Sequence, residues 1–249
     1  MKISLELVPR NNEYIIDHVR YVEDCIPQIS ALNFPDLSRF SIRSWQACHV
    51  IPHSNLKKIA HLRAIDFDVK HISWLSGWLN FFDIQNVLVI GGDKPEDTSD
   101  KAYYPTTTID LIRGLKRHAS YLNIYAAFDP YRTNIRYELE YLQRKKYAGA
   151  KGFFSQPFFD LRLLEIYSEF LEGEDVYWGI CPVTGKSSQN YWEVRNRAVF
   201  PKYFEPTLEW NIAFAKEVMN FCQNNNYNTY LMPININIKK YLNMLFHDL

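Results

Sequence analysis

Eight short runs of β-branched and aromatic residues, at 3–7, 39–44, 60–65, 87–90, 123–128, 152–156, 176–181 and 229–233, recur with longer segments of helical period between them. That alternation predicts repeated strand-then-helix units in a parallel sheet, because two parallel strands cannot be joined by a tight turn and need a crossover. Eight is the number of units at which such a sheet closes on itself. The expected fold is therefore α/β, a single (β/α)8 TIM barrel over residues 1–249. A doubly wound open sheet is the alternative, but as a dinucleotide binder it would carry a glycine-rich first turn, and the chain reads ELVPRNN there.

The segments between the runs place apolar residues three or four apart, as in Ile15, Val19 and Val22, in Trp74, Leu75, Trp78, Leu79 and Phe82, and in Leu163, Leu164, Tyr167 and Phe170. Asp160 reads as the N-cap of the last of these, and Gly173 as its left-handed stop. Between the seventh and eighth runs there is room for a short helix at 191–196 and a long one at 207–223. The connection at 45–59 shows no helical stripe and contains Pro52, so that unit is expected to be truncated or irregular.

Hydrophobic residues make up 47% of the chain and aromatics 16%, a composition that excludes disorder. Lys plus Arg (28) balances Asp plus Glu (28) without runs of like charge, which argues against a nucleic-acid or anionic-membrane partner and favours a small molecule. No signal-like or membrane-spanning stretch is apparent, so a cytoplasmic location is expected. Cys25, Cys48, Cys181 and Cys222 form no CxxC pair or zinc-like spacing; they read as reduced, packed thiols, and no metal is expected. Oligomeric state stays open, a homo-oligomer included.

Active sites of such barrels sit at the C-terminal strand ends. The polar residues there are Glu6, Arg43, Asp66, Asp93, Asp129 and Gln156, with Gly91 and Gly92 allowing close approach of backbone to a ligand. Strand alternation puts Glu6 with Ser4 on one face and Ile3, Leu5 and Leu7 on the other. A carboxyl facing the barrel mouth is partly desolvated, which favours its protonated form and suits a general acid. A structural carboxylate paired with Arg or Lys is the other reading.

Four segments carry a family resemblance. ISLELVPR, VLVIGGDKP, YLQRKKYAGAKGFFSQPFFD and GICPVTGK occur in the order of, and are similar to, the first strand, the fourth strand with its turn, the fifth helix with the sixth strand, and the seventh strand and loop of the methylenetetrahydrofolate reductases. The resemblance implies a (β/α)8 barrel holding FAD, which takes hydride from NADH or NADPH and passes it to the methylene carbon of methylenetetrahydrofolate. It implies Glu6 as the acid that protonates the departing nitrogen, and Asp93 beside flavin and pterin. Gln156 would recognise the pterin, with Arg43 and Phe159 as further folate contacts. His61, Gly92 and Tyr104 would lie near the flavin, and Glu138, Tyr141, Arg144 and Lys145 near its ribose and phosphates.

The chain departs from the family pattern at several ligand positions. FDPYRTN follows the fifth strand where a histidine-proline-glutamate turn is usual, Lys186 stands at the position of a stacking aromatic, and PTTT is inserted after Tyr104. Three alternatives follow from these departures: a flavin-free reductase, a folate-dependent methyl or one-carbon transfer enzyme, and a catalytically reduced partner subunit.

Overall fold

The first strand shows how the barrel is drawn together. In ISLE, Ile3 and Leu5 are buried outward against helices while Ser4 and Glu6 turn inward, as strand alternation requires. The computed structural model describes residues 1–37, 39–93 and 103–246. Its strands are β1 (Ile3–Glu6), β2 (Ile29–Phe34), β3 (Lys57–Arg63), β4 (Asn86–Ile90), β5 (Asn123–Phe128), β6 (Gly152–Pro157), β7 (Val176–Ile180) and β8 (Asn228–Leu231). They pair in chain order, all parallel, and β8 returns to β1 with Ser4 opposite Tyr230 and Leu5 opposite Leu231. The sheet is a closed barrel, and the open-sheet alternative is excluded.

The helices are α1 (Asn12–Cys25), α2 (Ser44–Val50), α3 (Ile72–Phe81), α4 (Thr108–His118), α5 (Ile135–Ala148), α6 (Leu161–Phe170), α7 (Lys186–Asn196), α8 (Leu208–Asn224) and α9 (Ile238–Phe246). Side chains of Asn11, Thr107, Asn134, Asp160 and Thr207 accept from orphan N–H groups at helix starts, so five of these helices begin where a capping residue stands. Gly173, just beyond α6, is left-handed with φ 81°, as expected of a stop.

One strand differs from the expectation. The second strand is Ile29–Phe34, and residues 39–43 form a turn and bends leading into α2. The mouth-facing and helix-facing sides of β2 are both buried, so ISALNF lacks the polar alternation that marks a half-exposed strand. Residues 39–43 show that alternation in a turn and bends, with Phe40 and Ile42 partly buried. The 45–59 unit is short, as expected, with a seven-residue α2 ending before Pro52.

Two apolar regions result. The larger fills the space between strands and helices. The smaller fills the barrel itself, where Tyr125, Phe154, Tyr177 and Tyr230 stack or meet edge to face. Gly179 is fixed by that interior: a Cβ there would sit 2.6 Å from Met232 Cε and 2.7 Å from the Ser155 carbonyl oxygen. No helix among the described residues is long and apolar enough to cross a membrane.

Candidate active site

A cavity of about 860 Å³ opens above the C-terminal strand ends. Its strand side presents Glu6, His61, Gln156, Cys181 and Tyr230, and its other wall is the inner face of α7. Of the residues expected at the site, Glu6, His61 and Gln156 are brought together here.

Glu6 accepts a short hydrogen bond from the Tyr230 hydroxyl, and among the described residues it has no ion-pair partner. Surrounding protein penalises the carboxylate more than Tyr230 relieves it, and the pKa rises from 4.5 to about 7. Glu6 is thus half protonated near neutrality, with Tyr230 holding one oxygen. Burial and the adjacent carboxyl push the Tyr230 hydroxyl well above its usual range, so it remains a donor.

His61 is buried and its Nε2 lies 3.0 Å from Asn33 Oδ1, while the Asn33 amide donates to Ser4 Oγ. Burial depresses the His61 pKa to about 3, so the imidazole is neutral and serves as a fixed dipole. Gln156 is exposed to the cavity where the β6–β7 register shifts; Ser155 Oγ accepts from Gly179 N at 2.7 Å beside it. A carboxamide so placed both donates and accepts toward a heterocycle edge.

The other expected residues lie elsewhere. Arg43 does not end a strand; it precedes α2, bonding both Asp36 oxygens and Asp66 Oδ2 at 2.8 Å, and does not line the cavity. Asp93 is exposed, with its carbonyl accepting from Arg63 at 2.7 Å. Gly92 has φ 87°, and a Cβ would meet Arg63 Nε at 2.9 Å, so the close approach there is that of Arg63. Lys94 and Pro95 of the fourth-strand motif are outside the described residues. Tyr104 lines a separate crevice of about 380 Å³ with Asp66, Asp68, His71 and Trp74. Phe159 is buried behind the cavity wall, against Tyr131, Trp192 and Phe200.

Behind the end of β5 the α5 residues gather. Arg132, Arg144 and Lys145 stand 5.5, 5.8 and 4.2 Å from the Tyr141 ring centroid, and Tyr141 bonds Thr108 through its hydroxyl at 2.6 Å. Glu138 takes two bonds from Arg132, at 3.0 Å each. The buried Lys145 ammonium donates to the Ala127 carbonyl at 2.5 Å and bonds no carboxylate directly; burial lowers its pKa to about 8. Arg132 and Arg144 are exposed cations of the kind that meets a phosphate, whereas Lys145 and Glu138 are each 1% exposed, and none of the four lines the cavity.

Sequence reading missed Tyr230, Asn33 and the cavity face of α7. Alternation along the eighth run is a signal that could put Tyr230 on the inner face, and its pairing with Glu6 follows only from the closure of β8 on β1.

A family model described as methylenetetrahydrofolate reductase matches residues 8–199, a stretch that includes His61, Asp93 and Gln156 and begins just after Glu6. Among solved structures, a protein from Clostridium thermocellum, described as binding two copies of 5-methyl-5,6,7,8-tetrahydrofolic acid, is similar over 99% of this chain and 94% of its own. Its TM-score is 0.69 at 12% identity. Oxaloacetate acetylhydrolase (TM-score 0.59, 8% identity, 94% of this chain and 75% of that one) shares the fold. So does 2,3-dimethylmalate lyase (0.55, 12%, 91% and 82%). At these identities the structural likenesses establish the fold alone.

Proposed function

Because the chain belongs to the methylenetetrahydrofolate reductase family, we propose that it reduces the methylene carbon of methylenetetrahydrofolate to a methyl group, with Glu6 supplying the proton. The observation that carries this reading is Glu6 in the cavity, free of any cation among the described residues and raised to about pKa 7. Reduction adds hydride to the carbon and breaks its bond to one folate nitrogen, and that nitrogen leaves only if a proton reaches it. A carboxyl poised near neutrality suits this transfer better than an ordinary one, which would be ionised. The folate bound by the Clostridium thermocellum neighbour supports a folate ligand here.

In this reading Gln156 meets the pterin edge, neutral His61 offers a dipole without competing for the proton, and Tyr230 holds the Glu6 carboxyl in place. Arg132, Arg144 and Lys145 would hold the FAD phosphates, with Glu138 fixing Arg132. FAD, when bound, would supply the hydride chemistry, drawing on NADH or NADPH. The test is consumption of reduced nicotinamide with methylenetetrahydrofolate, alongside a visible spectrum and titration with FAD. Methyltetrahydrofolate formation by wild type and its loss in Glu6→Gln with folate binding retained support the reading. A colourless protein that no FAD concentration activates removes the flavin from it, and folate turnover unchanged in Glu6→Gln removes the acid.

A further inference from the structure

The resemblance puts Lys186, the first residue of α7, where the family has a stacking aromatic. At 3.6 residues per turn the face of α7 that lines the cavity, through Gly185, Ser187, Ser188, Tyr191 and Trp192, is centred about 170° from Lys186. The lysine is therefore on the far side of the helix, and the aromatics that face the cavity stand more than one turn further along.

Four aromatic rings line the cavity: Phe154, Tyr191, Trp192 and Tyr230. Three are spent on the protein, since Phe154 is 1%, Tyr230 3% and Trp192 6% exposed. Phe154 and Tyr230 meet edge to face at 5.1 Å, and Trp192 is pinned by Phe159 at 5.4 Å. Tyr191 is 57% exposed, and among the described residues its ring meets that of Trp192 in a T-shaped approach at 6.2 Å. An aromatic at a cavity rim that is mostly exposed and braced by a buried ring has surface left with which to stack. It stands on the helical wall, whereas Glu6 and Gln156 are at the strand ends.

We propose that Tyr191 is the platform on which the aminobenzoyl ring of a reduced folate lies, replacing the aromatic absent at Lys186, with Trp192 as its support. This rests on the folate reading above: a pterin held at Glu6 and Gln156 leaves the second ring of the folate to leave by the rim. Tyr191 is thus a positioning residue that selects a folate over a bare pterin.

The experiment compares binding of 5-methyltetrahydrofolate and of tetrahydropterin, which lacks the aminobenzoyl tail, to wild type, Tyr191→Phe and Tyr191→Ala, by calorimetry. Circular dichroism of each variant shows whether it is folded, and a rim residue so exposed leaves the core untouched. Tyr191→Ala is expected to raise the folate Kd about tenfold, with Tyr191→Phe close to wild type and pterin binding equal in all three. Wild-type folate affinity retained in Tyr191→Ala, or an equal loss for folate and pterin, overturns the platform while leaving the folate reading intact. A wild type that binds neither ligand overturns both.

Discussion

Two carboxylates, Glu6 at the mouth of the barrel and Glu138 on α5 behind the end of β5, keep opposite company. Glu6 meets a tyrosine hydroxyl and no cation among the described residues, so burial dominates and its pKa rises to about 7. Glu138 is buried as well, yet both of its oxygens are bonded by Arg132 at 3.0 Å, and one also accepts from Asp129 N at 3.2 Å. The difference teaches what each can do. A desolvated acid without a counter-ion retains a proton to give, whereas a carboxyl bonded on both oxygens by one guanidinium holds that guanidinium in place.

Substitutions that erase the contrast have unequal effects. The largest is on turnover: Glu6→Gln, which keeps the shape and the Tyr230 contact but has no proton to donate, is expected to lower kcat by roughly 10²- to 10⁴-fold with folate Kd little changed. Steady-state kinetics and calorimetry check it, and near wild-type kcat would make Glu6 a structural carboxylate like Glu138. Next in size is Glu138→Gln, which leaves Arg132 without its partner. A loss of stability on the order of 2 kcal/mol is expected, seen as a melting midpoint lower by roughly 4–8 °C in scanning calorimetry. The pH at which turnover declines should not move, because Glu6 is in a different network; if it does move, the two regions are coupled.

The smallest effect concerns pH and the α5 cations. If Lys145 helps to hold the FAD phosphates as proposed, its pKa, lowered to about 8, makes FAD affinity full below that pH and lower above it. Flavin fluorescence titrated at pH 6, 7, 8 and 9 reads this directly. A flat profile would mean that Lys145 stays with the Ala127 carbonyl and takes no part in holding phosphate.

Most of the barrel is legible in the sequence because seven of the eight strands lie where β-branched runs are bounded by polar or glycine-containing turns. The second hid because ISALNF is buried at every residue but Ser30, while the alternating residues 39–43 imitate a half-buried strand. Arg43 moved with that error, from a strand end into a pairing with Asp36 and Asp66. Strand alternation put Glu6 on the inner face, and its reading as the acid came from the family resemblance. Its partner was not legible, since Tyr230 is 224 residues away and reaches Glu6 only when the last strand closes on the first. The face of α7 was hidden for a similar reason: helical period orders Ser187, Ser188 and Tyr191 on one side, but only the closed barrel decides which side looks inward.

The contrast between the two acids comes down to the proton on Glu6. Infrared difference spectroscopy of wild type minus Glu6→Gln, titrated from pH 4 to 9, isolates the carbonyl stretch of that one protonated carboxyl. A band that fades with a midpoint near 7 is the expected result. A midpoint near the ordinary value of 4.5 would show Glu6 ionised at neutrality, and the proposed proton donor would be contradicted.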